Sequence, residues 1–438
     1  MITQKVINTP KEKVRKLQRT LYRAAKANRK RKFGVLYDKV WRWDILMEAT
    51  KRVLSNKGCP GVDGQTVEEI RTYGVERFVA EIQKELREKT YHPDQVLRKY
   101  IPKPNGKLRA LGIPTVKDRI IQMAVKLVIE PIFEADFQMC SFGYRPKKSA
   151  QDARAVITYI IVGGAKWVLD VDLKAYFDTI PHDKLMVLVQ ERVHDKWILR
   201  LIRWWLKAGI LDGNEIKDSK IGSPQGGVIS PLLSNIYLNL VDRTWYKNGY
   251  QSRRNEWEGV LIRYADDILT LCKTEEAARY YKQELVRLFE QMGLQINEER
   301  TRIVQVRSGF DFLGYHFREG KSWAGKPCTI SYPSAKAMNT IRTNVKTVIR
   351  SQRLSDSLKE VIGKLNPVLA GWGQYFRCSN AGECFGKADY YVQNQLRLWM
   401  RRKHARKWSQ SYRKYPAGIF YKLGLHKLSG TTIYKPRY

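Results

Sequence analysis

The sequence has 438 residues, of which 43% are hydrophobic, and a formal net charge of +37. This excludes a disordered chain and allows two or three domains with a substantial core. We find no run of about 18 uncharged apolar residues and no secretory signal, so neither a membrane span nor secretion is predicted. The basic N-terminus leaves an organellar transit peptide as a minor alternative.

The positive charge is concentrated at the two ends of the chain. Residues 1–35 hold 12 lysines and arginines against Glu12 alone, and residues 397–438 hold 12 with no acid. So large an excess indicates a polyanionic partner. Solvated tails and a membrane surface are alternatives, but no broad apolar face accompanies the N-terminal run.

Aromatic residues among the C-terminal cations favour nucleic acid as that partner. Such rings can stack on bases while the cations hold phosphates, or they can form the core of a helical domain. The rings are Trp399, Trp408, Tyr412, Tyr415, Phe420 and Tyr421.

The six cysteines show no metal-binding spacing. No pair forms a CxxC motif, and no histidine stands at zinc-finger distance from them. Reduced thiols in a cytosolic protein are therefore the simpler expectation.

Apolar periodicity predicts mainly helices in the first 90 residues and a hairpin after them. Helices are expected at 11–30, 42–57 and 75–89. Alternating apolar residues over 96–114, with Pro104-Asn-Gly106 between the arms, predict an antiparallel hairpin.

Helices and strands alternate through the centre of the chain. Helices are predicted at 117–130, 149–162, 182–207, 231–247 and 274–292. Strands are predicted at 167–171, around 260–272 and near 302–317. After about residue 333 only helical patterns follow, so we expect an α+β catalytic core with an antiparallel sheet, followed by an all-α clamp for nucleic acid.

Two acidic clusters interrupt apolar, strand-like runs. Asp170 and Asp172 end the first run, and Asp266 and Asp267 lie where a hairpin turn would project them. Adjacent buried carboxylates repel one another, and a divalent metal resolves that conflict. Three carboxylates on neighbouring strands can hold two Mg²⁺ ions about 3.5–4 Å apart for phosphoryl transfer. An Asp-rich surface turn and a strand that ends in a helix cap are the alternatives.

The residues around these carboxylates resemble the motifs of reverse transcriptases. Tyr264-Ala-Asp-Asp267 resembles the YxDD box of that family. In the preceding acidic motif of the family, the metal-binding Asp stands five residues before an aromatic gate against a ribose 2′-hydroxyl. That spacing corresponds to Asp172 and Phe177 here. The resemblance thus implies that Asp172, Asp266 and Asp267 bind two Mg²⁺ ions, with Mn²⁺ as a substitute.

A loop and a hairpin resemble two further motifs of the family. The segment Ile221–Asn235 is similar to the SPQG loop and its following helix, which implies that Pro224, Gln225 and Gly226 lie at the templating base pair. Glycines there allow a close backbone approach. The predicted hairpin is similar to the fingers hairpin, which implies that Lys103 and Arg109 bind the incoming triphosphate.

Three other segments narrow the resemblance to group II intron reverse transcriptases, or maturases. Lys57–Gly64 resembles their N-terminal extension, Ser141–Pro146 resembles another of their segments, and Leu365–Phe376 resembles their maturase-specific thumb domain. Phe312-Leu313-Gly314 is similar to the family's primer grip, with Tyr264 also beside the template and primer.

The resemblance implies a right-hand polymerase fold. Its parts would be a basic N-terminal extension (1–90), fingers and palm (91–332), a thumb or maturase domain (333–400) and a basic C-terminal segment (401–438). For the segment 401–438, a residual DNA-binding region is an alternative interpretation. The paired CxxC spacing of the family's H-N-H endonuclease domain is absent from the sequence, and Glu299-Arg300-Thr301 stands where relatives often have Lys-Thr.

The activity implied is copying of RNA into DNA with dNTPs, a DNA primer or target, and intron RNA as template and splicing partner. No membrane partner is expected, and a homodimer is an open alternative. Two alternatives remain: a reverse transcriptase recruited to host defence or DNA repair, and an RNA-binding splicing cofactor with little polymerase activity.

Overall fold

The computed structural model describes residues 9–102, 108–212, 215–217, 222, 226–249, 258–321, 325, 327–404 and 413–433. The first helices are α1 (Pro10–Ala27), α2 (Tyr37–Val40), α3 (Trp43–Ser55), α4 (Val67–Tyr73), α5 (Val75–Glu88), α6 (Val116–Glu134), α7 (Ala150–Val162) and α8 (Tyr176–Thr179). The later helices are α9 (His182–Gln190), α10 (Lys196–Lys207), α11 (Ser230–Lys247), α12 (Glu275–Met292), α13 (Ala335–Arg350), α14 (Leu358–Phe376), α15 (Gly382–Lys403) and α16 (Ala417–Lys422).

The strands are β1 (Val96–Pro102), β2 (Leu108–Ile113), β3 (Trp167–Val171), β4 (Ile210–Asp212), β5 (Glu215–Lys217), β6 (Gly259–Tyr264), β7 (Asp267–Cys272), β8 (Arg302–Gln305), β9 (Phe310–Phe312), β10 (Tyr315–Lys321) and β11 (Pro327–Pro333). Every helix and strand that we predicted has a counterpart among them. None of the helices in the described parts of the chain is both long and apolar enough to span a membrane.

The N-terminal helices form where capping residues and apolar periodicity agree. Thr9 and Glu12 make a reciprocal capping box at the start of α1, whose buried face packs against α3 and α6. Such boxes satisfy backbone donors that the first turn leaves without partners. The cations of α1 occupy its other faces, and its burial fixes this basic helix to the body of the protein.

The hairpin predicted over 96–114 is present, and a second hairpin extends it. Strands β1 and β2 pair antiparallel with Ile101 opposite Arg109, and β4 joins β1 in parallel, with Val96 opposite Ile210. The sheet order is β2-β1-β4-β5. The turn 104–106 lies outside the described residues. We did not predict β4 and β5, because three-residue strands are too short to show alternation.

The central sheet has the order β6-β7-β3-β8 and is antiparallel throughout. One of its faces, with Leu169 and Val171, belongs to a core shared with α6 and α9–α12. The other face, with Val168, Leu269 and Leu271, belongs to a second core shared with α7 and the C-terminal helices. A sheet buried on both faces holds its strand ends rigidly, because neither face can move without opening a core.

The C-terminal helices are joined to the central sheet through the small sheet β11-β10-β9. Trp399, Tyr415 and Phe420 are buried, and Tyr421 packs against the same core. Of the two alternatives left open for these rings, the core is therefore the one that the structure shows for Trp399, Tyr415 and Phe420. Trp408 and Tyr412 lie outside the described residues.

Candidate active site

The hairpin of β6 and β7 carries two of the predicted site residues on its turn. Tyr264 pairs with Asp267, which leaves Ala265 and Asp266 as a two-residue loop. Ala265 has a φ of 57°, a left-handed conformation that costs a non-glycine residue free energy. Such a short loop projects consecutive side chains in fixed directions. Asp266 and Asp267 thus stand at the end of the sheet.

The register of β3 and β7 brings Asp172 to this turn. Val171 pairs with Ile268, so the next step along both strands sets Asp172 opposite Asp267. Directly opposed residues of an antiparallel pair place their Cβ atoms about 4.5–5.5 Å apart on the same face. That face is apolar at Val168 and Leu271 and becomes acidic at its end. The structure therefore brings together the three carboxylates that we predicted to act together.

The electrostatics of the cluster show this crowding. The pKa of Asp267 is raised to about 7, chiefly because the surrounding protein displaces water and also because Asp266, Asp170 and Asp172 repel its charge, although its side chain reaches the protein surface. The ammonium group of Lys336 at the start of α13 opposes this shift. Burial and repulsion among the neighbouring carboxylates thus outweigh the effect of Lys336 on Asp267.

Asp170 has a different neighbourhood from Asp172. It stands opposite Arg302 of β8, and burial raises its pKa to about 6 while Arg302 lowers it. Asp172 lies one step beyond the last strand pair, facing the turn. The prediction that Asp172 rather than Asp170 is a metal ligand is consistent with this difference.

Asn297 and Arg300 hold Asp172. The backbone N–H of Asn297 donates to the carbonyl oxygen of Asp172 (2.7 Å), and its side-chain amide donates to Oδ2 (3.1 Å). The Arg300 guanidinium lies 3.6 Å from the same carboxylate oxygen. Arg300 stands in the segment where relatives often carry Lys-Thr, so the substituted pair keeps a cation beside the site.

A buried arginine supports the turn from within. The Arg263 guanidinium donates to both carboxylate oxygens of Asp242, to Oδ1 of Asn235 (2.9 Å) and to the carbonyl oxygen of Ala265 (3.1 Å). Arg263 and Asp242 are fully buried. Asn235 in turn donates to the carbonyl oxygen of Gly143 (2.8 Å). A hydrogen-bonded network that extends to α11 therefore holds the turn in position.

The loop before α11 approaches the fingers sheet closely. A Cβ on Gly226 would lie 2.3 Å from the carbonyl oxygen of Gly112 in β2, and Gly226 has a φ of 119°. Only glycine fits both conditions. Oε1 of Gln122 accepts a hydrogen bond from the N–H of Val228 (2.9 Å), which anchors the loop to α6. Pro224 and Gln225 lie outside the described residues.

The remaining predicted nucleotide contacts are described only in part. Phe177, half-buried in α8, meets Tyr176 edge-on with 5.3 Å between ring centroids. The Tyr176 hydroxyl donates to the carbonyl oxygen of Ser234 (2.9 Å). The backbone of Arg109 lies in β2, while Lys103 and the side chain of Arg109 lie outside the described residues. Phe177 therefore lies five residues after Asp172, on helix α8, which the hydrogen bond from Tyr176 connects to α11.

Phe312-Leu313-Gly314 forms a tight turn between β9 and β10. Leu313 and Gly314 have φ values of 50° and 78°. The Tyr375 hydroxyl of α14 donates to the carbonyl oxygen of Leu313 (2.9 Å), and Tyr264 and Asp267 are near enough to raise its pKa, after burial. Tyr375 therefore links the C-terminal helices both to this turn and to the acidic turn.

The donor set fits a divalent cation. Within the described parts of the chain, no three His, Cys, Asp or Glu side chains already stand in a metal-binding arrangement. However, hard carboxylate oxygens are the ligands that Mg²⁺ prefers, and mutual repulsion among them is what a cation relieves. Asp172, Asp266 and Asp267 are the residues that would hold it.

Comparisons with known proteins agree with this geometry. Residues 101–317 match the family model for reverse transcriptase (RNA-dependent DNA polymerase), and residues 338–416 match the model for the group II intron maturase-specific domain. The chain belongs to the group II intron reverse transcriptase and maturase family. The acidic cluster and the turn at Leu313 thus lie within the part of the chain that matches the reverse transcriptase model, and α13–α15 overlap the part that matches the maturase-specific domain.

Relatives of this family member occur in Escherichia coli, Lactococcus lactis and Euglena gracilis. It is 37% identical over 330 residues to protein YkfC of Escherichia coli, covering 67% of this chain and 86% of that one. It is 30% identical over 390 residues to the group II intron-encoded protein LtrA of Lactococcus lactis, covering 75% of this chain and 63% of LtrA. It is 25% identical to maturase-like protein 1 of Euglena gracilis, covering 83% and 75%. This chain thus spans less than two thirds of LtrA.

Membership of the family has two direct consequences. The α+β fold with a helical C-terminal region is the right-hand polymerase fold that we expected, and its family acts on RNA and generally uses divalent metals. Sequence reasoning missed Arg263, Asp242, Asn297, Gln122 and Tyr375. Arg263 carried a usable signal, because a charge inside the apolar run of β6 requires a buried partner. Nothing local distinguishes the others.

Proposed function

We propose that the protein is an RNA-directed DNA polymerase that copies RNA into DNA and binds intron RNA to assist splicing and mobility. The observation that carries this proposal is the alignment of Asp172 with Asp267, with Asp266 next in the turn, on a sheet buried on both faces. A surface turn would not draw a third carboxylate from another strand. Rigid placement of charge is the main requirement of phosphoryl transfer.

The side chains of the acidic site and its surroundings have different roles in this reaction. Asp172, Asp266 and Asp267 would hold two divalent ions, which would supply charge stabilisation for the attacking and leaving oxygens. Asn297 orients the Asp172 carboxylate, and the Arg263 network fixes the turn. Phe177 excludes a ribose 2′-hydroxyl from the nucleotide site.

The substrates are held by other parts of the protein. Lys103 and Arg109 steady the triphosphate of a dNTP, and Gln225, between Pro224 and Gly226, positions the templating base pair. The turn at Leu313 holds the DNA primer. The thumb helices clamp the duplex of RNA and DNA through phosphate contacts.

Primer extension on an RNA template with dNTPs and Mg²⁺ tests the proposal. We expect the Asp266→Asn/Asp267→Asn double variant to bind RNA like the wild type and to lose extension by at least about 100-fold, since it removes two charges from the metal site. The Asp170→Asn variant is the matched control and retains most of the activity. If Asp170→Asn loses as much primer extension as the double variant, the choice of Asp172 rather than Asp170 as a metal ligand is refuted.

The maturase-specific domain favours one further function. If neither the wild type nor the variants extend a primer while all bind structured RNA tightly, the protein is an RNA-binding splicing cofactor with an idle polymerase site. Splicing of a precursor RNA that contains the surrounding intron then provides the assay. If the wild type instead extends primers but binds no intron RNA, only the polymerase function is supported.

A further inference from the structure

The exposed face of α10 carries a row of cations that the polymerase mechanism does not use. The α10 basic stripe consists of Lys196, Arg200, Arg203 and Lys207, all exposed. Their spacing of four, three and four residues aligns them along one side of the helix. With a rise of about 1.5 Å per residue, the stripe extends over roughly 16 Å. It is a continuous positive edge rather than a scatter of surface charges.

The stripe faces away from the catalytic cleft. On the opposite side of α10, Trp205 and Leu206 are buried. They line a small cavity together with Gly227 and Ile229, which belong to the loop before α11. Since the buried side of the helix adjoins the active-site loop, the stripe on the far side lies outside the cleft. Template and primer in the cleft do not account for it.

None of the four cations is neutralised. Among the described residues, Lys196, Arg203 and Lys207 form no ion pair, and Arg200 instead lies over the rings of Trp197 (4.4 Å to the centroid) and Trp204 (5.9 Å). The α10 helix itself contains no acidic residue. A charge without a partner on the protein remains available for a partner from outside.

Contacts with aromatic rings order the side chains of this surface. The ring of His92 lies against Trp204 with 4.7 Å between centroids, and Lys89 lies over Trp197 at 4.8 Å. Contacts between cations and rings restrict long side chains before any partner binds, which lowers the entropy lost on binding. Because protein groups already cover the tryptophans, they are poorly suited to insertion into a membrane.

A groove runs beside the stripe. It has a volume of about 570 Å³ and is lined by Gln190, Leu199, Trp204 and the stripe residues. Its polar lining is cationic, with one amide and no carboxylate. This lining therefore favours an anionic ligand.

We propose that the α10 basic stripe is a second binding surface for the sugar-phosphate backbone of a nucleic acid. A duplex presents one phosphate for about every 3.4 Å along each strand, so a row of roughly 16 Å spans several phosphates. The contacts are to phosphates and read no sequence. The surface anchors nucleic acid that extends beyond the duplex in the cleft.

The test compares two triple variants with the same change in net charge. Lys196→Gln/Arg203→Gln/Lys207→Gln removes three stripe cations and leaves Arg200 on its rings. The control, Arg279→Gln/Lys282→Gln/Arg287→Gln, removes three cations of α12 that already pair with glutamates. Binding of a labelled RNA hairpin and of a DNA hairpin of the same sequence is measured against salt concentration, with circular dichroism as the check of folding.

The stripe variant should lose affinity by about tenfold or more at low salt, and its slope of log K against log salt should fall by about three. The control should match the wild type. Equal loss on both hairpins supports a surface for phosphates alone, and loss on RNA only supports RNA as its ligand. Equal binding by a folded stripe variant and the control on both hairpins would overturn the proposal.

Failure of this proposal is separable from failure of the polymerase function. Extension of a short primer and template that fill only the cleft should be unchanged in the stripe variant. If the wild type extends no primer but the stripe variant still loses binding, the surface stands without the polymerase. If extension of the short duplex falls while hairpin binding is unchanged, the stripe serves the cleft, and the second surface is refuted.

Discussion

Arg263 and Asp242 form a fully buried ion pair directly behind the acidic turn, with the Arg263 Nε donating to Oδ1 of Asp242 at 2.9 Å. The same guanidinium also donates to the carbonyl oxygen of Ala265. Charge in the interior is tolerated only when it is paired and fully hydrogen-bonded. This pair therefore connects the stability of the central sheet to the position of the acidic turn.

Removing one partner of this pair should be costly. We expect Asp242→Ala to lower the free energy of unfolding by about 3–5 kcal/mol, because it leaves the Arg263 charge buried without compensation. Glu191→Ala breaks the surface pair with Arg243 and should cost less than about 1 kcal/mol. Urea denaturation followed by circular dichroism measures both. Similar costs for the two variants would show that the buried pair contributes nothing special.

Gly143 should be essential for catalysis rather than for folding. A Cβ at this position would lie 2.4 Å from the backbone nitrogen of Ala265, so Gly143→Ala must displace the acidic turn. We expect primer extension to fall by at least about tenfold, since small misplacements of reacting groups are expensive. Gly363→Ala, in open space on α14, should keep full activity and gain up to about 1 kcal/mol in stability. Normal extension by Gly143→Ala would mean that the turn tolerates the shift.

The Tyr375 hydroxyl should couple the thumb to the primer-grip segment. Tyr375→Phe removes only the hydrogen bond to Leu313, a loss of about 0.5–1.5 kcal/mol, equivalent to a change of roughly 2- to 13-fold. We expect the effect in processivity, measured as nucleotides added per binding event in the presence of a competitor trap. Tyr159→Phe, at an exposed tyrosine of α7, is the control. The idea fails if both variants have the same processivity.

Asp118 should make the stability of the protein depend on pH. Burial raises the pKa of this carboxyl to about 6, although the Tyr91 hydroxyl (2.6 Å) and the backbone N–H of Asp94 (3.2 Å) donate hydrogen bonds to it. A raised folded-state pKa means that ionisation opposes folding. The penalty is absent below the unfolded pKa of about 3.9, grows as the pH rises and is complete above about 6.

Comparison of Asp118→Asn with the wild type isolates this contribution. Between pH 4 and 7, the free energy of unfolding of Asp118→Asn should rise by about 3 kcal/mol relative to that of the wild type. This corresponds to about 1.4 kcal/mol for each unit of pKa shift. A constant difference between Asp118→Asn and the wild type across this range would contradict the raised pKa.

Helices and strands followed from local pattern wherever the pattern was long. The capped helix at Pro10 and the antiparallel hairpin around Ile101 are present as predicted. The very short strand at Ile210 and the four-residue helix at Tyr176 were missed, because so few residues carry no measurable periodicity. Burial of Trp399 was also undecided by sequence, since a ring among cations suits a core and a stacking surface equally.

The sequence by itself determined the chemistry of the site: three carboxylates at strand ends, with Tyr264-Ala-Asp-Asp267 and Asp172 separated by nearly a hundred residues. Local propensity and residue type act over a few residues, so they identify donors and turns. Only the tertiary structure decided that Asp172 faces Asp267, that Arg263 supports the turn, and that Tyr375 reaches Leu313. Each of these depends on strand register or helix packing, which many distant residues fix together and no single segment encodes.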